Sequence, residues 1–141
     1  MGCCYRPPNA NYYYLDTLCD MIDTVCDHVN KIYFLGDFNI DWKSLHCPIK
    51  NKIQSITDAC GLTQVITKPT RVCLKKDGSK TATCIDHIYT NQVEKCSKGL
   101  FLPIGCSDHN LVAVVRKTRS QKRDHKLLLR EHIKTSMRTI L

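Results

Sequence analysis

Three short polar groups in this chain carry residue types able to do hydrolytic chemistry. They are Asp37 with Asn39 in G-D-F-N at 36–39, Asp86 in I-D-H-I at 85–88, and Asp108 with His109 in S-D-H at 107–109. A histidine beside carboxylates offers a general base and a partner to orient it, and an amide offers a donor to a charged oxygen. With a divalent cation, that equipment suits attack of water on a phosphate ester. Each group also has a plainer reading: Asp and Asn bond their own backbone in turns, and a lone His109 is more often structural than catalytic. The chemical reading gains because all three groups fall at or beside strand ends, and strand ends of one sheet can converge on one site.

The elements that must position these groups follow from apolar pattern and turn chemistry. Ile32 to Leu35 is a continuous β-branched and aromatic run, the pattern of a strand covered on both faces, with Gly36 as its exit. Gly2 to Tyr5 reads as the end of another strand, closed by the turn Arg6-Pro7-Pro8-Asn9, where two prolines forbid both helix and central strand. From Tyr14 to Val29 the residues Leu15, Leu18, Ile22, Val25, Cys26 and Val29 recur at helical spacing, opposite aspartates 16, 20, 23 and 27, which predicts an amphipathic helix lying on a sheet. Ile49, Ile53, Ile56 and Cys60 predict a second helix, with Pro48 near its start and Gly61 as its stop.

Further along, Leu62 to Ile66 reads as a strand, and Thr67 to Thr81 as a basic surface loop or hairpin carrying Arg71, Lys75, Lys76 and Lys80. Cys84 to Tyr89 is a strand with Ile85, His87 and Tyr89 on one face and Asp86 and Ile88 on the other. Leu100 to Ile104 is a short apolar strand, and Leu111 to Val115 is expected to close the sheet.

Composition sets the class. With 141 residues and 43% hydrophobic content, the chain suits one domain able to bury a core. No apolar run approaches the roughly 18–20 residues of a spanning helix, and the N-terminus lacks the layout of a secretory signal. The expectation is a nuclear or cytoplasmic protein, not secreted, with no membrane partner. Met-Gly-Cys-Cys suggests a lipidation signal, but Arg6 stands where that pattern requires Ser or Thr. The ten cysteines are scattered without C-x-x-C spacing, so they are expected to be free thiols, with Cys19, Cys26, Cys60, Cys84 and Cys106 acting as small hydrophobes. Cys26 and His28 are a close pair with zinc-ligand chemistry, too few for a structural zinc. The net charge is +8, and Arg116 to Met137 holds eight Lys or Arg against Asp124 and Glu131. Such a tail attracts nucleic acid by counterion release or is a solvated linker, and Lys117 to Arg123 also suits a nuclear import signal. Leu129, Ile133 and Met137 recur every four residues, the spacing of an amphipathic helix.

The ordered set Y-R-P-P-N at 5–9, G-D-F-N-I-D-W at 36–42, K-P-T-R at 68–71, T-C-I-D-H-I-Y-T-N at 83–91 and S-D-H-N-L-V at 107–112 resembles the endonuclease/exonuclease/phosphatase, or DNase I-like, superfamily. The resemblance is greatest to the endonuclease domain of LINE-type non-LTR retrotransposons and runs from Gly2 to Lys117. It implies a Mg²⁺-dependent phosphodiesterase that nicks DNA. In that reading His109 is the general base, Asp86 holds its imidazole, Asp37 orients or deprotonates the water, Asn39 and Tyr5 donate to the phosphate, and Asp108 lies at the metal. Arg71, Lys75 and Lys76 in the hairpin and Arg119, Lys122 and Arg123 in the tail are the candidate DNA contacts.

These motifs match the C-terminal half of the family's domain. The half that supplies an early Asn and the principal metal-binding Glu would precede Gly2. The expected fold class is therefore α/β (α+β): a mixed β-sheet with helices on one face, half of a four-layer α/β sandwich, over residues 1–116, followed by a basic tail at 117–141. The opposite sheet face is expected to be apolar and exposed, open to the missing N-terminal half-domain or to self-association. Two function classes follow: an endonuclease domain that is inactive as this fragment, and a non-catalytic nucleic-acid-binding or interaction remnant.

Overall fold

A computed structural model describes residues 1–117. Arg119, Lys122 and Arg123, and the helix expected around Leu129, Ile133 and Met137, lie outside the described residues. In chain order the elements are β1 (Gly2–Tyr5), α1 (Tyr12–His28), β2 (Tyr33–Asp37), α2 (Pro48–Ala59), β3 (Thr63–Gln64), β4 (Arg71–Leu74), β5 (Lys80–Thr83), β6 (Asp86–Thr90), β7 (Leu100–Pro103) and β8 (Asn110–Ala113), with a 3-10 turn at Val93–Lys95. The central sheet has the order β1-β2-β6-β3. β1 runs parallel to β2, and β6 runs antiparallel to β2 and β3, so the sheet is mixed as expected.

Both helices lie on one face. Leu15, Leu18, Cys19 and Ile22 of α1 and Ile53 of α2 are buried in one cluster with Phe34, Phe38, Ile40 and Tyr89. Burying each large aliphatic side chain contributes about 1.5–3 kcal/mol, so the aligned α1 stripe is enough to hold that helix down. Helix α1 begins at Tyr12 rather than Tyr14, because the Asn11 side chain accepts from the Tyr14 N–H at 3.1 Å and caps the first turn. Pro48 opens α2 and Gly61, at φ 64°, lets the chain turn away beyond its end.

Four expectations are corrected. Gly36 does not mark the exit of β2 but lies inside it, with Asp37 as the last strand residue. The need for glycine there is the neighbouring strand: a Cβ on Gly36 would stand 1.7 Å from the Cys4 carbonyl oxygen. The strand expected over Leu62 to Ile66 shrinks to Thr63–Gln64, since the Gln64 side-chain oxygen accepts from Ile66 N (3.2 Å) and Ile88 N (2.9 Å) in place of a continued ladder. Cys106, read as a small hydrophobe against a strand, is exposed.

The fourth correction concerns β8, which does not close the central sheet. The two edges of β6 are already occupied by β2 and β3, so β8 pairs with β7 as a separate hairpin. That hairpin covers the sheet face opposite the helices, packing Phe101, Val112 and Val114 against buried Ile66, Cys84 and Ile88. The apolar exposure expected on that face sits one layer further out, on Leu100, Leu102 and Leu111 of the hairpin's outer side. The basic segment forms the β4–β5 hairpin, with Lys75 and Lys76 exposed in and beside its turn. Among the described residues no helix is long and apolar enough to cross a membrane.

Candidate active site

Strand register builds the site. Tyr5 on β1 is the Cα partner of Asp37 on β2, and Asp37 is the Cα partner of Asp86 on β6, so the three residues form a row across adjacent strands. Side chains in such a row share one face of the sheet. Here it is the face away from the helices.

The loop between β7 and β8 delivers His109 to the same row. Its backbone is tied to β4 through Val72 N to Asp108 O (2.9 Å) and Asn110 N to Thr70 O (2.7 Å), and the Ser107 hydroxyl accepts from the His109 N–H at 3.0 Å. The imidazole Nδ1 lies 3.2 and 3.1 Å from the two carboxylate oxygens of Asp86. Asp37, Asp86 and His109 each bring a ligand-type atom within 4.8 Å of the others. All three side chains are half-buried, dry enough to strengthen the His109–Asp86 hydrogen bond and open enough to meet a substrate.

Asp37 and Asn39 make the turn bond their types allow, and Asp37 also stands in the row across the strands. The Asp37 carboxylate accepts from the Asn39 N–H at 3.0 Å, a local turn bond, and Asn39 sits at φ 50°, a left-handed conformation that asparagine tolerates. The Asn39 amide donates to the Arg6 carbonyl at 2.9 Å, which leaves its oxygen and its second N–H available. Tyr5 is 62% exposed, and its carbonyl accepts from the Tyr14 hydroxyl.

Asp108 lies outside the cluster. Its carboxylate is bound by Arg71 Nε at 2.6 Å, and the guanidinium holds it below the usual carboxylate range while the same contact raises Arg71. Arg71 is thus engaged with a carboxylate, whereas Lys75 and Lys76 are exposed in the hairpin. Neighbouring His87 is structural: 1% exposed, stacked on Phe38 with centroids 4.8 Å apart, and bonded through Nε2 to the carbonyls of Ile40 and Cys84. Burial pushes its pKa down, so the ring is neutral and its Nδ1 accepts from the Tyr89 hydroxyl.

Two buried residues beside the site carry no signal that singled them out in the sequence. Thr70 is fully buried, and its hydroxyl accepts from Ile85 N at 3.1 Å and Asp86 N at 3.0 Å, fixing the start of β6. Its signal was the threonine of K-P-T-R, hidden in a polar run that reads as loop. Arg6 is buried behind Asp37 and Asn39, and its signal was an arginine beside two prolines.

Comparison with solved structures shows the same fold. The endonuclease domain of TRAS1, a telomere-specific non-LTR retrotransposon, superposes with a TM-score of 0.66 at 16% identity, over 82% of this chain and 56% of that one. The 3'-5' exonuclease NExo from Neisseria meningitidis gives 0.62 at 18% identity, over 76% and 53%. A D146N form of NExo, described as a 3' phosphatase bound to product DNA hairpin, gives 0.62 at 16% identity over the same shares. No family model matches the chain, and no curated protein matches it. At these identities the likeness is one of fold, and that fold is the α/β DNase I-like one. The chain spans about half the length of the structures it matches.

Proposed function

We propose that the Asp37–Asp86–His109 cluster is the hydrolytic centre of a phosphodiesterase that acts on DNA. The observation that carries the reading is the bond from His109 Nδ1 to Asp86, with Asp37 beside it. A carboxylate at Nδ1 fixes that nitrogen as the N–H, which leaves Nε2 as a lone pair able to take a proton from water. Asp86 then stabilises the imidazolium that forms. Asp37 orients the water, while the spare Asn39 N–H and the Tyr5 hydroxyl donate to phosphate oxygens as charge builds on them. Lys75 and Lys76 contact the phosphate backbone from the hairpin.

The residues fit a weak Mg²⁺ site. Mg²⁺ takes one or two carboxylates plus substrate oxygens and water; Asp37 offers one, while Asp86 is engaged by His109 and Asp108 by Arg71. When bound there, the cation would supply stabilisation of charge on the phosphoryl oxygens. General-base help alone gives about 10²–10⁴-fold, too little for a reaction as slow as phosphodiester hydrolysis. The chain alone is therefore expected to be inactive and to need an N-terminal half-domain that contributes a further carboxylate. Nucleus or cytoplasm is the compartment this reading implies.

A second reading, a non-catalytic nucleic-acid-binding remnant, is favoured by one observation: two of the three carboxylates near the site are already tied to cationic or imidazole partners. Nicking of supercoiled plasmid with Mg²⁺ or Mn²⁺ tests both. The chain alone should not nick, and fusion to the N-terminal half of a related domain should restore nicking that His109→Ala abolishes. If the fused form binds DNA but never nicks, the remnant reading stands instead. If the chain alone nicks and His109→Ala abolishes it, the need for a further carboxylate is wrong.

A further inference from the structure

Arg6 is 2% exposed, and no ion pair of its guanidinium occurs among the described residues. Its Nη1 donates to the Phe38 carbonyl at 3.4 Å and its Nη2 to the Ala10 carbonyl at 3.0 Å, while Nε is buried without a partner. An arginine in such a place is expensive, because a buried charge with no counter-ion is poorly repaid by two carbonyls, and a methionine of similar length would fill the space with no charge to desolvate. Packing alone does not account for it.

What the guanidinium and its backbone do together is hold one tripeptide. Arg6 N donates to the Asp37 carbonyl at 2.9 Å, Nη1 reaches the Phe38 carbonyl, and the Arg6 carbonyl accepts from the Asn39 amide at 2.9 Å. Asp37, Phe38 and Asn39 are thus each gripped by one residue of the neighbouring strand's end. The grip matters most at Asn39, whose left-handed backbone costs energy unless its surroundings fix it. Through Nη2 the same side chain also fixes the 7–10 turn, which follows Tyr5.

We propose that Arg6 is a positioning residue that holds Asp37 and Asn39 in the geometry the hydrolytic centre requires. The inference rests on the reading of the Asp37–Asp86–His109 cluster given above. It separates two arms of the site: the Asp37–Asn39 arm depends on Arg6, whereas the Asp86–His109 arm is held by Thr70 and the β7–β8 loop.

The test uses the full 141-residue chain, its Arg6→Met and Arg6→Lys forms, and two readouts. The first is amide hydrogen exchange. Arg6→Met should speed exchange at Asn39, whose N–H is bonded to Asp37, by about tenfold or more and leave the Asp86 amide unchanged, with Arg6→Lys in between. The second is Mn²⁺ affinity by electron paramagnetic resonance, which should fall several-fold in Arg6→Met and be abolished in Asp37→Asn. Unchanged exchange at Asn39 would overturn the proposal. So would equal acceleration at Asn39 and Asp86 with a lowered unfolding midpoint, since that pattern is a general structural loss. If the wild-type chain binds no Mn²⁺, or Asp37→Asn leaves binding intact, the metal-site reading fails, and the exchange arm still decides the role of Arg6.

Discussion

Replacing Thr70 by valine keeps the shape of a fully buried side chain and deletes the acceptor of two backbone amides. Ile85 N and Asp86 N, now bonded to the hydroxyl at 3.1 and 3.0 Å, would face a methyl group. A buried donor left without a partner costs about 1–3 kcal/mol, so two cost about 2–6 kcal/mol before relaxation. Against a typical total stability of about 5–15 kcal/mol, the loss should be plain. At roughly 4 °C per kcal/mol, a loss near 3 kcal/mol lowers Tm by about 12 °C. Thr70→Ser keeps the hydroxyl and loses one methyl, worth about 1 kcal/mol. Urea unfolding followed by the fluorescence of Trp42, which packs edge-on against Tyr89, measures both variants. The site should register the change as well, because the amide of Asp86 anchors the carboxylate that holds His109. The reasoning fails if Thr70→Val unfolds within about 0.5 kcal/mol of Thr70→Ser, since the shared hydroxyl would then be doing little for β6.

Gly36→Ala should prevent folding or cost several kcal/mol, because the added Cβ meets the Cys4 carbonyl oxygen at 1.7 Å; a thermal melt close to that of the parent would show that β1 can retreat at little cost. His87 has a folded pKa below its ordinary 6.5, so its contribution to stability is complete above that value and declines as pH falls through it, while the unfolded chain takes up the proton first. Its ring signals should keep the neutral form to a lower pH than an ordinary imidazole does, and an ordinary titration would mean that the ring is wet. All ten cysteines should titrate as free thiols in unreduced, unfolded protein. In the native protein exposed Cys3 and Cys106 should react first and Cys84, buried and pushed up to about 11, last; prompt labelling of Cys84 would contradict its place under the β7–β8 hairpin.

The parts of this structure that could be read from sequence are those whose signal is local. Leu15, Leu18 and Ile22 announce a helix face because helical spacing is a property of neighbours in the chain, and the Pro48 start and Gly61 stop of α2 are set by their own backbones. Asp37, Asp86 and His109 could be singled out because their types are chemical and each stands at a strand end. Their convergence was less visible, since it depends on register: Tyr5 faces Asp37 across β1 and β2, where Gly36 allows the close approach, and Asp37 faces Asp86 across β2 and β6. The strand content of the last segment was legible, but its partner was not. V-A-V-V at 112–115 says only that a strand is present, and whether it pairs with β6 or β7 depends on which edges Gln64 and β3 have already filled. Thr70 and Arg6 were least legible of all, because their roles consist of long-range bonds to main-chain atoms of other segments, and a main-chain atom leaves no mark on residue type. Asp108 shows the converse. Its chemistry suggested a metal ligand, and the arginine that bonds its carboxylate, Arg71 of K-P-T-R, is 37 residues away in sequence, so that neither motif by itself shows the pairing.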